Sequence, residues 1–260
     1  MIAEVEVSRA GPVQVLRFAR PEKKNALTGP MYGALCDALE AGDASSEIAA
    51  HVFCGSGGVF CAGNDIGDFL NTAKGTGGLG EDVLRFIRLL PQVRKPMIAA
   101  VDGKAVGVGT TMLFHCDLVY ATPGATFSTP FLDLGLIPEA ASSLLMPRVM
   151  GPHRAFEMLA LGEVFNAERA REAGFVNAIV VADEVEATAI AAAQRLSAKP
   201  PEALAIARCL MRGSPSDILA RTEEEAAAFK LRLSSPEARE AFQAFFEKRP
   251  PRFASREVMK

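Results

Sequence analysis

Glu139 is a lone acid in an apolar stretch. It follows Leu134-Gly135-Leu136-Ile137-Pro138 and precedes Ala140-Ala141-Ser142-Ser143. A carboxylate in that setting faces solvent, caps a helix, or acts as a base whose pKa is raised by apolar surroundings. Two other segments have the residue types of a carbonyl-oxygen site. They are Phe60-Cys61-Ala62-Gly63-Asn64-Asp65 and Asp102-Gly103-Lys104-Ala105-Val106-Gly107-Val108-Gly109-Thr110-Thr111. Each follows an expected strand and leads into a helix, where backbone N–H groups are free. Small residues there let a ligand oxygen come close. Two converging N–H groups would stabilise charge developing on that oxygen. The same glycines also suit plain tight turns.

Other chemistry has little support. Gly55-Ser56-Gly57-Gly58-Val59-Phe60 lacks the last glycine of a dinucleotide fingerprint, and no P-loop or GxSxG elbow occurs. His51, His115 and His153 have no metal-ligand spacing. His115-Cys116-Asp117 is contiguous, so its side chains point apart, and a structural role fits it best.

The elements that must position these groups read as α/β. Ile2 to Val7 and Val13 to Phe18 alternate apolar and polar residues around Ala10-Gly11-Pro12, which predicts a hairpin. Thr28 is placed to cap a helix that has Pro30 in its first turn and runs to about Ala44. Strands are expected at Ile48–Cys54, Met97–Val101, Leu118–Ala121, Ala125–Phe127 and Val176–Val180. A short buried helix is expected at Val108–Phe114. Asn71 to Gly80, with its glycines, reads as a mobile loop. From Ser142 onward helices dominate. Strand, helix and Gly-rich turn alternate as in a sheet covered by crossovers. The division is a core at 1–182 and a helical region at 183–260. The apolar stripe Phe229, Leu233, Phe242, Phe245 and Phe246 is either internal core, or a subunit contact or lid.

Composition bounds the function classes. The 260 residues are 49% hydrophobic, which excludes disorder, and the 28 basic against 31 acidic residues argue against a nucleic-acid binder. The five cysteines, Cys36, Cys54, Cys61, Cys116 and Cys209, form no CxxC pair and read as small buried thiols in a reducing compartment. No signal-peptide pattern and no membrane-length apolar run occurs, so the expectation is a soluble, cytoplasmic protein.

Several pieces in order resemble the crotonase, or enoyl-CoA hydratase/isomerase, superfamily. They are Pro21-Glu22-Lys23-Lys24-Asn25-Ala26-Leu27-Thr28, Phe60 to Asp65, Gly103 to Thr111, Cys116-Asp117, Ala125-Thr126-Phe127, Gly135-Leu136-Ile137-Pro138 and Glu168 to Val180. The resemblance implies a spiral of ββα turns with a helical C-terminal part, which covers the site and joins subunits into trimers or hexamers. It implies an acyl-CoA thioester as partner, its oxygen held by the main-chain N–H groups of Asn64 and Val108. Val108 departs from the more usual glycine. No metal or redox cofactor is implied, since coenzyme A is part of the substrate. Hydratases of the family use two glutamates, and the matching positions here are Thr111 and Phe131. Glu139 stands where the Δ3,Δ2-enoyl-CoA isomerases have their catalytic glutamate. The narrower likeness, to the peroxisomal-type isomerases, rests on Gly63-Asn64-Asp65, Thr129-Pro130-Phe131, Ile137-Pro138-Glu139 and Ser142-Ser143. It implies a double-bond shift in fatty-acid breakdown with Glu139 as proton shuttle. Another enolate reaction on an acyl-CoA, or a non-catalytic acyl-CoA-binding protein, is the alternative. Expected substrate contacts are Lys24, Ala62, Asp65, Ile66, Phe131 and Lys248. Lys23 and Arg252 are further basic candidates for the CoA phosphates.

Overall fold

In the computed structural model, which describes residues 4–67, 70 and 79–253, Val5–Ala10 (β1) and Val13–Phe18 (β2) form the expected hairpin. The register runs from Val5 opposite Phe18 to Ala10 opposite Val13. Gly11 turns the chain at φ +65°, where a glycine has no steric cost. β2 departs from the alternating expectation, because Val13 through Leu16 and Phe18 are all buried. Its place in the sheet explains this. β2 lies between β1 and Ala50–Gly55 (β3), followed by Met97–Val101 (β4), Leu118–Ala121 (β6) and Ala178–Ile179 (β9). Every pairing after the hairpin is parallel, and parallel strands are normally covered on both faces.

The two faces separate cleanly by residue parity. Leu16, Phe18, Phe53, Met97, Ala99 and Val101 enter the larger core. Val13, Val15, Val52, Cys54, Ile98 and Ala100 enter a second core, against Val185, Ala189 and Ala193. A smaller sheet is built from Lys104–Val106 (β5), Thr126–Ser128 (β7) and the two-residue strand Phe165–Asn166 (β8), which sequence reading did not anticipate.

Helices fill the rest. They are Gly29–Ala44 (α1), Glu81–Leu89 (α2), Val108–Thr111 (α3), Ser142–Met150 (α4), Pro152–Leu159 (α5), Ala167–Glu172 (α6), Ala182–Ser197 (α7), Pro201–Arg212 (α8), Pro215–Leu233 (α9) and Pro236–Glu247 (α10). The three apolar residues that close the second core lie one turn apart on α7, so that helix and the sheet share one interior. α3 continues as a 3₁₀ turn, Met112–His115, and the whole segment is buried as expected.

Two expectations need correction. Thr28 precedes α1, but its side chain caps nothing, and its hydroxyl is buried without a partner among the described residues. The second helical residue is Pro30, which has no N–H for a cap to receive. Cys209 is not a buried thiol; it is exposed on α8, where Arg208 is the buried side chain. Residues 71–78 of the expected loop lie outside the described residues. Among those described, no helix is long and apolar enough to cross a membrane.

Candidate active site

The two small-residue segments lie side by side. Cys61 pairs with Ala105 in a parallel bridge. Cys61 N–H donates to Lys104 O at 3.0 Å, and Val106 N–H donates to Cys61 O at 2.9 Å. Asn64 and Val108 each lie three residues beyond that bridge on their own segment. The approach is close enough to demand glycine. Gly63 has φ +88° and Gly107 φ +55°. A Cβ on Gly109 would sit 2.7 Å from the Cys61 carbonyl oxygen.

Neighbouring donors along these segments are used. Ala62 N–H donates to Lys24 O, Asp65 N–H to Leu27 O, and Gly107 N–H to Ser128 O. Among the described residues, the N–H groups of Asn64 and Val108 have no acceptor. Unpaired backbone donors away from water are uncommon; Val108 is buried and Asn64 half-buried. The Asn64 side chain is itself fixed, its Oδ1 accepting from the buried Tyr32 hydroxyl at 2.5 Å.

Glu139 neither faces solvent nor caps a helix. It is 4% exposed, and its Oε1 accepts from the Thr111 hydroxyl at 2.5 Å. Thr111 ends α3, the helix that Val108 begins. The carboxyl therefore stands within one helical turn of a free N–H. Burial pushes its pKa up to about 7; the Thr111 hydrogen bond opposes the rise and the Glu225 charge adds to it. The backbone after it is unusual, because Ala140 and Ala141 both have φ 55°.

A cavity of about 430 Å³ opens beside the paired segments. Ala62, Asn64, Ile66 and Phe131 are on its wall, with Phe229, Phe242 and Phe245 from α9 and α10 opposite. Of the stripe, Phe229, Leu233 and Phe242 are buried, whereas Phe245 and Phe246 are mostly exposed. Val108 and Glu139 are buried and are not on that wall. Phe131 is 7% exposed and gives that wall an aromatic ring.

The charged candidates scatter. Lys24 is exposed in a left-handed conformation and meets the site through its carbonyl. The Asp65 carboxylate accepts from Arg20 at 2.8 Å and from Gly67 N–H at 3.1 Å, which marks it as a helix-start residue. Lys23, Lys248 and Arg252 are exposed and off the wall. Arg249, which sequence reading passed over, is on the wall and pairs with Glu240. Tyr32, Asp133 and Glu225 also escaped it, and no motif marks any of them.

A family model described as enoyl-CoA hydratase/isomerase matches residues 8–256. Enoyl-CoA delta isomerase 2 of Rattus norvegicus is 34% identical over 249 residues, covering 94% of this chain and 63% of the rat protein. The chain thus spans less than two thirds of that relative's length. The 1,2-epoxyphenylacetyl-CoA isomerase of Escherichia coli K12 is 32% identical over 94% of this chain and 95% of that one. An enoyl-CoA hydratase/isomerase structure from Pseudoalteromonas atlantica T6c superposes with a TM-score of 0.91 at 38% identity, covering 97% of this chain and 100% of that one. Proteins named as hydratases match as well. What the solved structures share with this chain is the crotonase-like α/β fold, and the names of the relatives give no single reaction. With a family match along nearly its full length and a superposition of that quality, this chain belongs to the enoyl-CoA hydratase/isomerase family.

Proposed function

We propose that the protein shifts the double bond of a 3-enoyl-CoA to the 2-trans position, with Glu139 as the only proton shuttle. The observation that supports this reading is the Glu139 carboxyl, buried, poised near neutrality and bonded to the helix that begins at a free N–H. In the proposed reaction the thioester oxygen accepts from Asn64 N–H and Val108 N–H. Glu139 takes a proton from C2, and the electron pair moves onto the thioester oxygen as a dienolate. The same carboxyl returns the proton at C4, and the double bond settles between C2 and C3. A base with a pKa near the working pH is suited to both transfers. Hydration needs one group to activate water and one to deliver a proton; by resemblance those positions are Thr111 and Phe131, and neither titrates usefully at neutral pH.

The mixed names of the relatives favour a second reading, another enolate-type reaction on an acyl-CoA with the same oxygen site. One assay separates the two. Wild type given a 3-enoyl-CoA should yield the 2-trans isomer, and given a 2-trans-enoyl-CoA should yield negligible 3-hydroxyacyl-CoA. Hydration at a rate comparable with isomerisation would overturn the single-base reading. Binding without turnover of any acyl-CoA would favour a non-catalytic protein. The trimer or hexamer expected by resemblance remains part of the proposal, as do the cytoplasmic setting and the helical region at 183–260 as site cover and subunit contact.

A further inference from the structure

The turn that holds Glu139 is a backbone that L-residues resist. Ala140 and Ala141 are consecutive left-handed residues without being glycine. Left-handed alanines persist only where the surroundings over-determine them. Two buried side chains meet this turn from opposite sequence directions. His115, held neutral because burial pushes its pKa down to about 4, donates from Nε2 to Ala140 O at 2.8 Å. Glu225 receives the other side. Its Oε2 accepts from Ala141 N–H at 2.7 Å, and its Oε1 accepts from Ser143 N–H at 3.0 Å. Glu225 is 5% exposed on α9. One turn further along that helix, Phe229 is on the cavity wall.

We propose that Glu225 is a positioning residue, its two carboxylate oxygens clamping the Ala140-Ala141 turn so that Glu139 is held towards the bound thioester. This rests on Glu139 being the base. The clamp uses both oxygens as acceptors, so the side-chain amide introduced by Glu225→Gln would set an NH₂ against one of the two N–H groups. α9 then links the acyl wall and the base, because the same helix supplies Phe229 and the clamp.

The test has one arm that needs no activity. Amide hydrogen–deuterium exchange on the full chain should show segment 139–143 losing protection at least tenfold in Glu225→Gln, with segment 105–111 unchanged. Unchanged exchange at 139–143 overturns the proposal, whatever the reaction proves to be. The second arm measures turnover of whichever acyl-CoA wild type processes. The kcat of Glu225→Gln should fall at least tenfold, because small misplacements of a reacting group are costly. KM should stay within about threefold. A fall in kcat matched by an equal loss of binding overturns the proposal.

Rescue completes the design. Glycine adopts positive φ freely, so Ala140→Gly with Ala141→Gly should restore much of the kcat lost in Glu225→Gln. Recovery of folding and turnover in the triple variant supports the clamp, even if Glu225→Gln alone does not fold. A triple variant that stays unfolded, or one that folds with no recovery of kcat, overturns it. If wild type turns over no 3-enoyl-CoA, the isomerase reading fails while the exchange arm still judges the clamp.

Discussion

Glu139→Gln is expected to lower turnover of a 3-enoyl-CoA by about 10²–10⁴-fold, the usual contribution of a positioned acid–base group. The substitution keeps the size of the side chain. Its amide oxygen can still accept from the Thr111 hydroxyl, so the fold and KM should change little. The sign of the pH dependence in wild type follows from the raised carboxyl. A pKa of about 7, set by burial, leaves the base protonated at lower pH. The kcat should therefore fall as pH drops below about 7 and level off above it. Steady-state kinetics from pH 5.5 to 8.5 read both effects. Equal turnover by wild type and Glu139→Gln, or a profile flat through pH 6, would remove Glu139 from the reaction.

The second large effect concerns the main-chain donors, which no side-chain substitution deletes directly. Gly109 offers an indirect route. Its φ is ordinary, so alanine brings no backbone penalty of the left-handed kind. The new Cβ, however, would stand 2.7 Å from the Cys61 carbonyl oxygen, a backbone atom that cannot swing aside. Gly109→Ala must therefore spread the paired segments that carry Asn64 and Val108. Loss of one such donor costs about 3 kcal/mol of transition-state stabilisation, or about 10²–10³ in kcat. Gly109→Ala is expected to lose about that much while still binding acyl-CoA. Gly124→Ala, where an added Cβ meets nothing within 4 Å, is the control and should match wild type. Indistinguishable kcat for the two variants would contradict an oxygen site built from these segments.

Both residue groups behind those predictions are visible in the sequence. Glu139 is conspicuous as one acid among apolar neighbours, and the glycines of the two segments mark where backbone approaches backbone. The reading of the sheet also succeeds wherever one element decides the outcome, as at the Gly11 hairpin. It fails where pairing or packing decides. Arg17 and Gln14 make β2 look half-solvated, yet α1 packs on the face that carries Gln14, which is buried with its amide donating to Ala38 O. β8 is two residues long and exists only because β7 offers it an edge. Glu225 sits in the run Glu223-Glu224-Glu225, which reads as a solvated helix face. Its neighbour Glu223 does pair with Arg88 at an exposed position, and only the packing of α9 on the Ala140 turn singles out the third glutamate.

A single shielded carboxyl that removes and returns the same proton makes a distinct isotopic forecast. Glu139 is 4% exposed, so a proton on it should exchange slowly with water relative to its return. The most direct measurement is therefore a single-turnover reaction of a 3-enoyl-CoA deuterated at C2, in ordinary water, with the product read by NMR or mass spectrometry. Deuterium found at C4 of the 2-trans product is the predicted result. Product wholly without deuterium at C4, or deuterium transfer that persists in Glu139→Gln, would contradict the one-base account.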